Sequence, residues 1–474
     1  MMRASGSKKK PSYAAILVVA VLGPFAACGD DGGARDDGGG PHPDAGGNLD
    51  NTPVMERTVA GTYTCAVTRD RTSLAPRTWT GRSALLPLAD GSISLSRVEW
   101  ETSTSGILGP TARSLLTSRF GIDGALSAPT TIPVDDPELI FALASAPRGD
   151  GFALVWADEQ ALHFAAFDAS STLVLGPKSI ASPAIDSQIQ LYMAADRAGD
   201  GFALALTERN EQKLEPRALF LDRDGNARGP LRPLATTAAS ATMYQFPAPY
   251  VAPATNGYVF IWNDPAGKSG RILFMKTDTK SGTEVIAPHA ISFTDDAAVA
   301  VGVGGFGFER PGPRIVEMGN AFVAAWSEGR QGRAPAGDFS PTEGGGAVVR
   351  LTRLDSEGNP TGSALLRAHE DDVDEVEPVL TPLGDALAVS WSRGTHIYIC
   401  GGCVPDHRID LVVIDANSFD PLSQLVTVTN GGGRGAGGLL RKQTAVAASS
   451  LLMLYDVTFH TSTTPGSLAY TCTP

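Results

Sequence analysis

The sequence predicts an all-β chain assembled from a repeated unit of four antiparallel strands. Three observations carry that expectation. Long stretches of helical apolar periodicity are missing, in a chain of 474 residues that carries 53 glycines. A ten-residue pattern recurs along the chain. Each copy lies between further extended runs that are separated by turn residues.

The pattern is clearest as "GDGFALVWAD" (Gly149–Asp158). It returns as "GDGFALALTE" (Gly199–Glu208), "TNGYVFIWND" (Thr255–Asp264), "GNAFVAAWSE" (Gly319–Glu328) and "GDALAVSWSR" (Gly384–Arg393). Weaker copies begin at Ala89 ("ADGSISLSRV") and Ala448 ("ASSLLMLYDV"). Their second positions fall at residues 90, 150, 200, 256, 320, 385 and 449, so seven copies stand 50 to 65 residues apart. Each copy reads as a tight turn followed by a strand, and Asp-Gly or Asn-Gly, carried by four of the seven, supplies the positive φ of a two-residue hairpin turn. The β-formers that follow end, in four copies, on Trp156, Trp262, Trp326 or Trp391. Tryptophan at one fixed place in a recurring strand is expected to fill the space between neighbouring units.

An extended run precedes the turn, as in "LIFALASAP" (Leu139–Pro147) and "EPVLTPL" (Glu377–Leu383). A third strand follows, as in "ALHFAAFD", "RILFMKTD" and "RIDLVVID", and then a second turn and a short fourth strand such as "LVLGPKSIA". Such a unit repeated seven times predicts a β-propeller of seven four-stranded blades. Six or eight remain compatible, because the first and last copies are weak. "LDRDGNARGP" (Leu221–Pro230) looks like the start of a calcium loop. Its twelfth position, counted from Asp222, is Pro233 where a bidentate Glu is required, so it reads as a hairpin turn, like "LDSEGNPTG" in its own repeat.

Residues 1–27 begin with Arg3, Lys8, Lys9 and Lys10 and continue into an apolar run from Ala14 to Ala27. That is the layout of a secretory signal, and the run is shorter than the roughly 20 residues of a spanning helix. Residues 28–53, rich in Gly, Asp and Pro, read as a disordered tether, leaving 54–474 for the propeller domain. Ala26 and Ala27 precede Cys28, so the stretch resembles a bacterial lipobox with Phe25 in place of the usual aliphatic residue. With the repeats, the chain resembles the seven-bladed β-propeller lipoproteins that bacteria secrete. That resemblance implies cleavage before Cys28, fatty acylation (palmitate among the chains), and a lipid-anchored place in the cell envelope. Gly29 rather than Asp after the cysteine implies the outer membrane. Losing residues 1–27 removes four of 38 basic residues and none of 51 acidic ones, taking the formal charge from −13 to −17. So acidic a chain is not expected to bind nucleic acid.

Four cysteines then remain, Cys65, Cys400, Cys403 and Cys472, with three possible pairings in an oxidising compartment. "TYTCAV" near the start echoes "AYTCTP" at the end, and the last repeat is one strand short. An N-terminal strand that completes the last blade would set Cys65 beside Cys472, and Cys400–Cys403 follows by elimination. "HIYICGGCVPDH" (His396–His407) has the look of a Cys₂His₂ metal site. A Gly401-Gly402 hairpin instead pairs the cysteines and leaves each histidine about 13 Å away along its strand, beyond the reach of zinc bonds. A disulfide staple is the expectation, with no metal and no cofactor.

No Gly-x-Ser-x-Gly, His-Glu-x-x-His or P-loop motif is present, and no catalytic residue is assigned. "HEDDVDEVE" (His369–Glu377) reads as a solvated connection. In a four-stranded meander the A–B and C–D turns share one face of the disc, and the B–C and D–A connections share the other. The long segments Ile291–Arg314, Ser327–Gly346, His369–Glu377, Arg393–Arg408 and Thr429–Lys442 all fall on the second face, around blades five to seven. Loops on a rigid scaffold are where binding residues concentrate. The expected function is therefore a surface-anchored binding or scaffolding propeller for a protein or glycan partner. Its expected contacts are Arg330, Arg333, Phe339, Tyr398 and His407. The alternative is a secreted glycan hydrolase or lyase with carboxylates in the central channel.

Overall fold

The computed structural model describes residues 53–473 apart from 74–77, 102–110, 122–125, 136, 138–139, 182, 184–190, 211–212, 235–238, 241–247, 265–270, 280–281, 293–311, 329–347, 367–372, 396–407, 430–440, 448–449 and 460–461. The described strands pair into seven antiparallel sheets. Sheet I holds Thr78–Pro87, Ile93–Glu101, Thr111–Phe120 and Thr130–Ile132. Sheet II holds Ala142–Arg148, Gly151–Ala157, Leu162–Phe167 and Leu173–Ala181. Sheet III runs Leu191–Ala195, Gly201–Asn210, Lys213–Asp222 and Arg232–Pro233, with Ala239–Ser240 also on its third strand. Sheet IV is Tyr250–Ala254, Gly257–Asp264, Arg271–Asp278 and Glu284–Ala290. Sheet V is Arg314–Met318, Ala321–Glu328, Val348–Leu354 and Pro360–Leu365. Sheet VI is Val373–Leu383, Ala386–Thr395, Arg408–Asp415 and Val426–Thr429. Sheet VII joins Arg441–Ala447, Ser450–Phe459 and Ser462–Thr473 to Thr64–Ser73 from the other end of the domain.

The first strand of each sheet packs on the first strand of the next, in the order I to VII. That of sheet VII packs in turn on that of sheet I. Four-stranded meanders closed into a ring through their innermost strands form a β-propeller. Six apolar clusters fill successive junctions from I–II to VI–VII. The recurring tryptophans lie in the second strand and inside these junctions, with Trp156 2% exposed and Trp262 0%. Burying each such aromatic contributes roughly 1.5–3 kcal/mol, so the repeat pattern is the record of the inter-blade core.

The ring closes as the cysteine echo predicts. Thr64–Ser73 pairs antiparallel with Ser462–Thr473, Cys65 stands opposite Cys472, and the two are disulfide-bonded across 407 residues of sequence.

Two expectations are corrected. The tight turn after the first strand is Gly149-Asp150 rather than Asp-Gly, and its positive φ (59°) belongs to Gly149. Gly319-Asn320 and Gly384-Asp385 repeat the shift, with φ of 62° at each glycine. Glycine in the first turn position is the requirement of a type II′ hairpin, and it frees the next residue to begin the strand. The second correction concerns "HEDDVDEVE". Its Val373–Glu377 half is strand, not connection, because the innermost strand of sheet VI begins at Val373 and pairs with Ala386–Thr395. A bulge between Val376 and Val379 accommodates the extra length, and it places Glu375 in the ring's lining strand, fully buried.

Candidate functional site at the loop-side rim

The two faces of the ring are built differently. On the turn face an aspartate closes the third-to-fourth-strand hairpin in sheet after sheet. Asp222 Oδ1 accepts from the backbone N–H of Asp224 (2.9 Å) and Asn226 (2.8 Å). Asp355 does the same for Glu357 and Asn359, Asp168 for Ser170 and Thr172, and Asp415 for Asn417 and Ser418. This is what "LDRDGN" and "LDSEGN" encode, and it agrees with their reading as turns. Arginines then tie each turn to its neighbour. Arg148 donates to Arg223 O and Asp224, Arg228 to Thr279 O, and Arg232 to Gly282 O. At the inner edge of this face Glu317 is ion-paired with Arg197 and accepts from the backbone N–H of Thr255.

The opposite, loop-side rim gathers a different set. Tyr192, Tyr250 and Arg314 occupy equivalent register positions at the entry of the innermost strands of sheets III, IV and V. They stand opposite Ala205, Ile261 and Ala325 of the respective second strands. The Tyr192 and Tyr250 rings meet edge to face with centroids 4.8 Å apart. The Arg314 guanidinium lies over both, 4.7 Å from the centre of Tyr192 and 5.0 Å from that of Tyr250. Such cation–π contacts are worth roughly 0.5–2 kcal/mol each. Arg314 Nη2 donates to Tyr192 Oη at 2.7 Å, and Nη1 donates to the carbonyls of Gly312 and Pro313 at 3.2 and 3.1 Å. All three side chains are half-buried. Burial pushes the Tyr250 phenol above its ordinary range, against the pull of the Arg314 charge, so Tyr250 is neutral at physiological pH.

A guanidinium has five N–H donors in a planar fork. Three are used here, so among the described residues Nε–H and one Nη2–H of Arg314 remain unengaged. The guanidinium is thereby fixed in place with donors to spare, an arrangement suited to a carboxylate or sulfate oxygen pair.

On the same rim, sheet VI buries two carboxylates. Asp410 accepts from Thr427 Oγ1 at 2.7 Å and lies 3.3 Å from Arg393 Nε. Arg393 stands opposite Glu375 in the strand pairing. Of the four acids on the described innermost strands, Asp374, Glu375 and Glu377 stand in the loop-side half of the sheet VI strand and Glu317 near the turn-side end of the sheet V strand. Glu317 thus lies towards the rim opposite to the other three.

Cys28, Arg330, Arg333, Phe339, Tyr398, Cys400, Cys403 and His407 lie outside the described residues. Tyr192, Tyr250 and Arg314 carried no signal of their own in the sequence. Aligning the innermost strands back from their turns would have shown the three bulky polar residues at one register position.

No protein-family model matches the chain, and no curated protein resembles it in sequence. Among solved structures, a Dyadobacter fermentans protein of unknown function is 11% identical over 87% of this chain and 100% of its own (TM-score 0.47). A GH93 alpha-L-arabinofuranosidase of Fusarium graminearum is 10% identical over 88% and 96% (TM-score 0.40). An ulvan lyase of polysaccharide lyase family PL25 is 10% identical over 67% and 77% (TM-score 0.42). At these values the likenesses carry no inference about activity.

Proposed function

We propose that the protein is a lipid-anchored binding propeller of the bacterial cell envelope, each of its seven sheets serving as one blade. Its partner, a protein or a glycan, docks on the loop-side face, over the rim formed by Tyr192, Tyr250 and Arg314. The observation that carries this reading is the fixed Arg314 guanidinium with two donors unengaged among the described residues. An acidic chain that holds one such cation at the mouth of its ring selects for an anionic group, a uronate or sulfate on a glycan or a carboxylate on a protein. Segments 329–347 and 396–407 join strand ends that lie on this face, and Arg330, Arg333, Phe339, Tyr398 and His407 within them would be further contacts.

The test is an array of acidic and neutral oligosaccharides probed with the purified domain and with an Arg314→Met variant. Capture of acidic members, lost in the variant, is expected. Capture that the substitution leaves intact would refute the assignment of Arg314. Anchoring is tested separately: Cys28→Ser should release the protein from the membrane fraction, and retention of the variant there would remove the lipid from the account.

A further inference from the structure

A second group of side chains stands on sheet II, near its loop-side edge, and nothing in the binding role uses it. Trp156, His163 and Ser179 form one row across the second, third and fourth strands, in the pairings Trp156 with His163 and His163 with Ser179. Asp158 begins the short connection between the second and third strands. Its Oδ1 is locked by the backbone N–H groups of Gln160 and Ala161, both at 2.8 Å. Its Oδ2 lies 2.6 Å from His163 Nε2. The indole of Trp156, itself 2% exposed, stacks on the imidazole at 5.3 Å and 14°. On the far side of the ring, His163 Nδ1 faces Ser179 Oγ at 3.4 Å.

The consequence is chemical. A carboxylate only accepts, so the short contact to Asp158 places a hydrogen on Nε2 and leaves Nδ1 of the neutral ring as an acceptor directed at the serine hydroxyl. The ring plane is held by stacking and its tautomer by a carboxylate that is itself clamped. That is the relation of nucleophile, base and orienting group found wherever serine is activated, with the two ring nitrogens exchanged. Such contacts are often long in an unliganded enzyme and shorten with substrate. Ser179 is exposed and sits in the outermost strand of its blade, so an ester carried on a bulky molecule can reach it. Alternate backbone N–H groups of an outermost strand point away from the sheet and are available to a developing oxyanion.

We propose that Ser179, His163 and Asp158 form a hydrolytic site for carboxylic esters. Ser179 Oγ attacks the ester carbonyl as its proton passes to His163 Nδ1. The bond to the alcohol breaks, the leaving oxygen takes that proton, and an acyl-serine remains. Water then attacks the acyl carbon, giving its proton to Nδ1. The acyl–Oγ bond breaks, and the proton returns to Ser179 as the carboxylic acid leaves. Asp158 is a positioning residue throughout, holding the tautomer and stabilising the transient imidazolium.

The test is labelling of the full domain with a fluorophosphonate, read by intact mass and peptide mapping, together with hydrolysis of p-nitrophenyl acetate. One label on Ser179 is expected, absent in Ser179→Ala and reduced at least 100-fold in rate in His163→Ala. Asp158→Asn should slow labelling at least tenfold and move its pH–rate profile, which a merely structural aspartate would not do. Thermal melting of each variant verifies that it is folded. No label on Ser179 in the folded wild-type protein, or a rate unchanged in a folded His163→Ala variant, would overturn the proposal.

Discussion

The two faces of this ring are made of the same strands and have opposite characters. On the turn face the polar groups are consumed by the fold. Aspartates cap the hairpins, arginines bridge to the next blade, and Glu317 is ion-paired with Arg197 beside the Thr255 amide. On the loop face the polar groups are arranged but not exhausted. Arg314 is fixed over two tyrosines with donors to spare, and His163 is oriented at an exposed serine. The difference teaches where each kind of change should act. Alterations on the turn face and at the ring's seam should cost stability, and alterations on the loop face should cost binding or chemistry.

The seam is the place to break the first half of that statement. Replacing both Cys65 and Cys472 by serine removes a cross-link spanning 407 residues, where bridges of this kind are worth about 2–4 kcal/mol. Chemical denaturation should show that loss, while acidic-glycan capture by the folded variant should stay unchanged. Next in size is Arg314→Met. Hydrogen bonds to charged groups contribute roughly 1.5–3 kcal/mol, so affinity for an acidic ligand should fall on the order of 10- to 100-fold. The unfolding midpoint should also fall, because two cation–π contacts and three hydrogen bonds go with the guanidinium, but the variant should remain folded. Binding that survives, or a collapse of the fold, would erase the contrast between the faces.

A third probe returns to the turn face. The hairpin glycines Gly225, Gly282 and Gly358 have φ of 74°, 66° and 81°. Each is pressed on a phenylalanine of the preceding blade, respectively Phe164, Phe220 and Phe274. A Cβ at Gly282 would overlap the Phe220 ring and would also strain the backbone. Gly282→Ala should therefore destabilise by about 1–3 kcal/mol in a denaturant titration and leave ligand affinity alone.

The smallest expected effect is in the pH dependence. The Ser92 hydroxyl and backbone N–H hold the Asp90 carboxyl at about 2, below its ordinary 3.8. The Ser170 hydroxyl and the Asn226 amide lower Asp168 and Asp222 in the same direction, Asp222 against the cost of its burial. A carboxyl lowered by folding binds fewer protons in the folded state than in the unfolded chain. Its contribution is therefore complete above about pH 4 and drains away as the pH falls toward 2. Stability measured across that window should decline on acidification. An Asp90→Asn variant should show a shallower decline than the wild type, and an identical slope would remove Asp90 from the explanation.

The scaffold was legible in the sequence to the extent that it repeats. The recurrence of "GDGFALVWAD" located the second strand of each sheet, its tryptophans the inter-blade core, and "TYTCAV" with "AYTCTP" the seam. What repeats does so because every blade solves the same packing problem. At residues 149–151 the exact turn register is hidden because Gly-Asp-Gly offers two glycines for one positive φ, and only the strand pairing decides between them. The start of the innermost strand in sheet VI is hidden because six acids among nine residues at His369–Glu377 outweigh its two valines when read as composition. The rim was illegible for a different reason. Tyr192, Tyr250 and Arg314 are 58 and 64 residues apart and share a register position but no recurring motif, and adjacent sheets in the ring bring them together. The same holds for Ser179, which reaches His163 only through the pairing of the third and fourth strands.

The most direct test of the account is calorimetric titration of the wild-type domain and of Arg314→Met with a uronate-containing oligosaccharide and its carboxyl-reduced, neutral counterpart. The account predicts that the wild type binds the acidic ligand and discriminates against the neutral one by at least tenfold, and that Arg314→Met abolishes the discrimination while still unfolding in a cooperative transition above the temperature of the titration. Equal affinity of the wild type for the two ligands, or discrimination that persists in the variant, would contradict it.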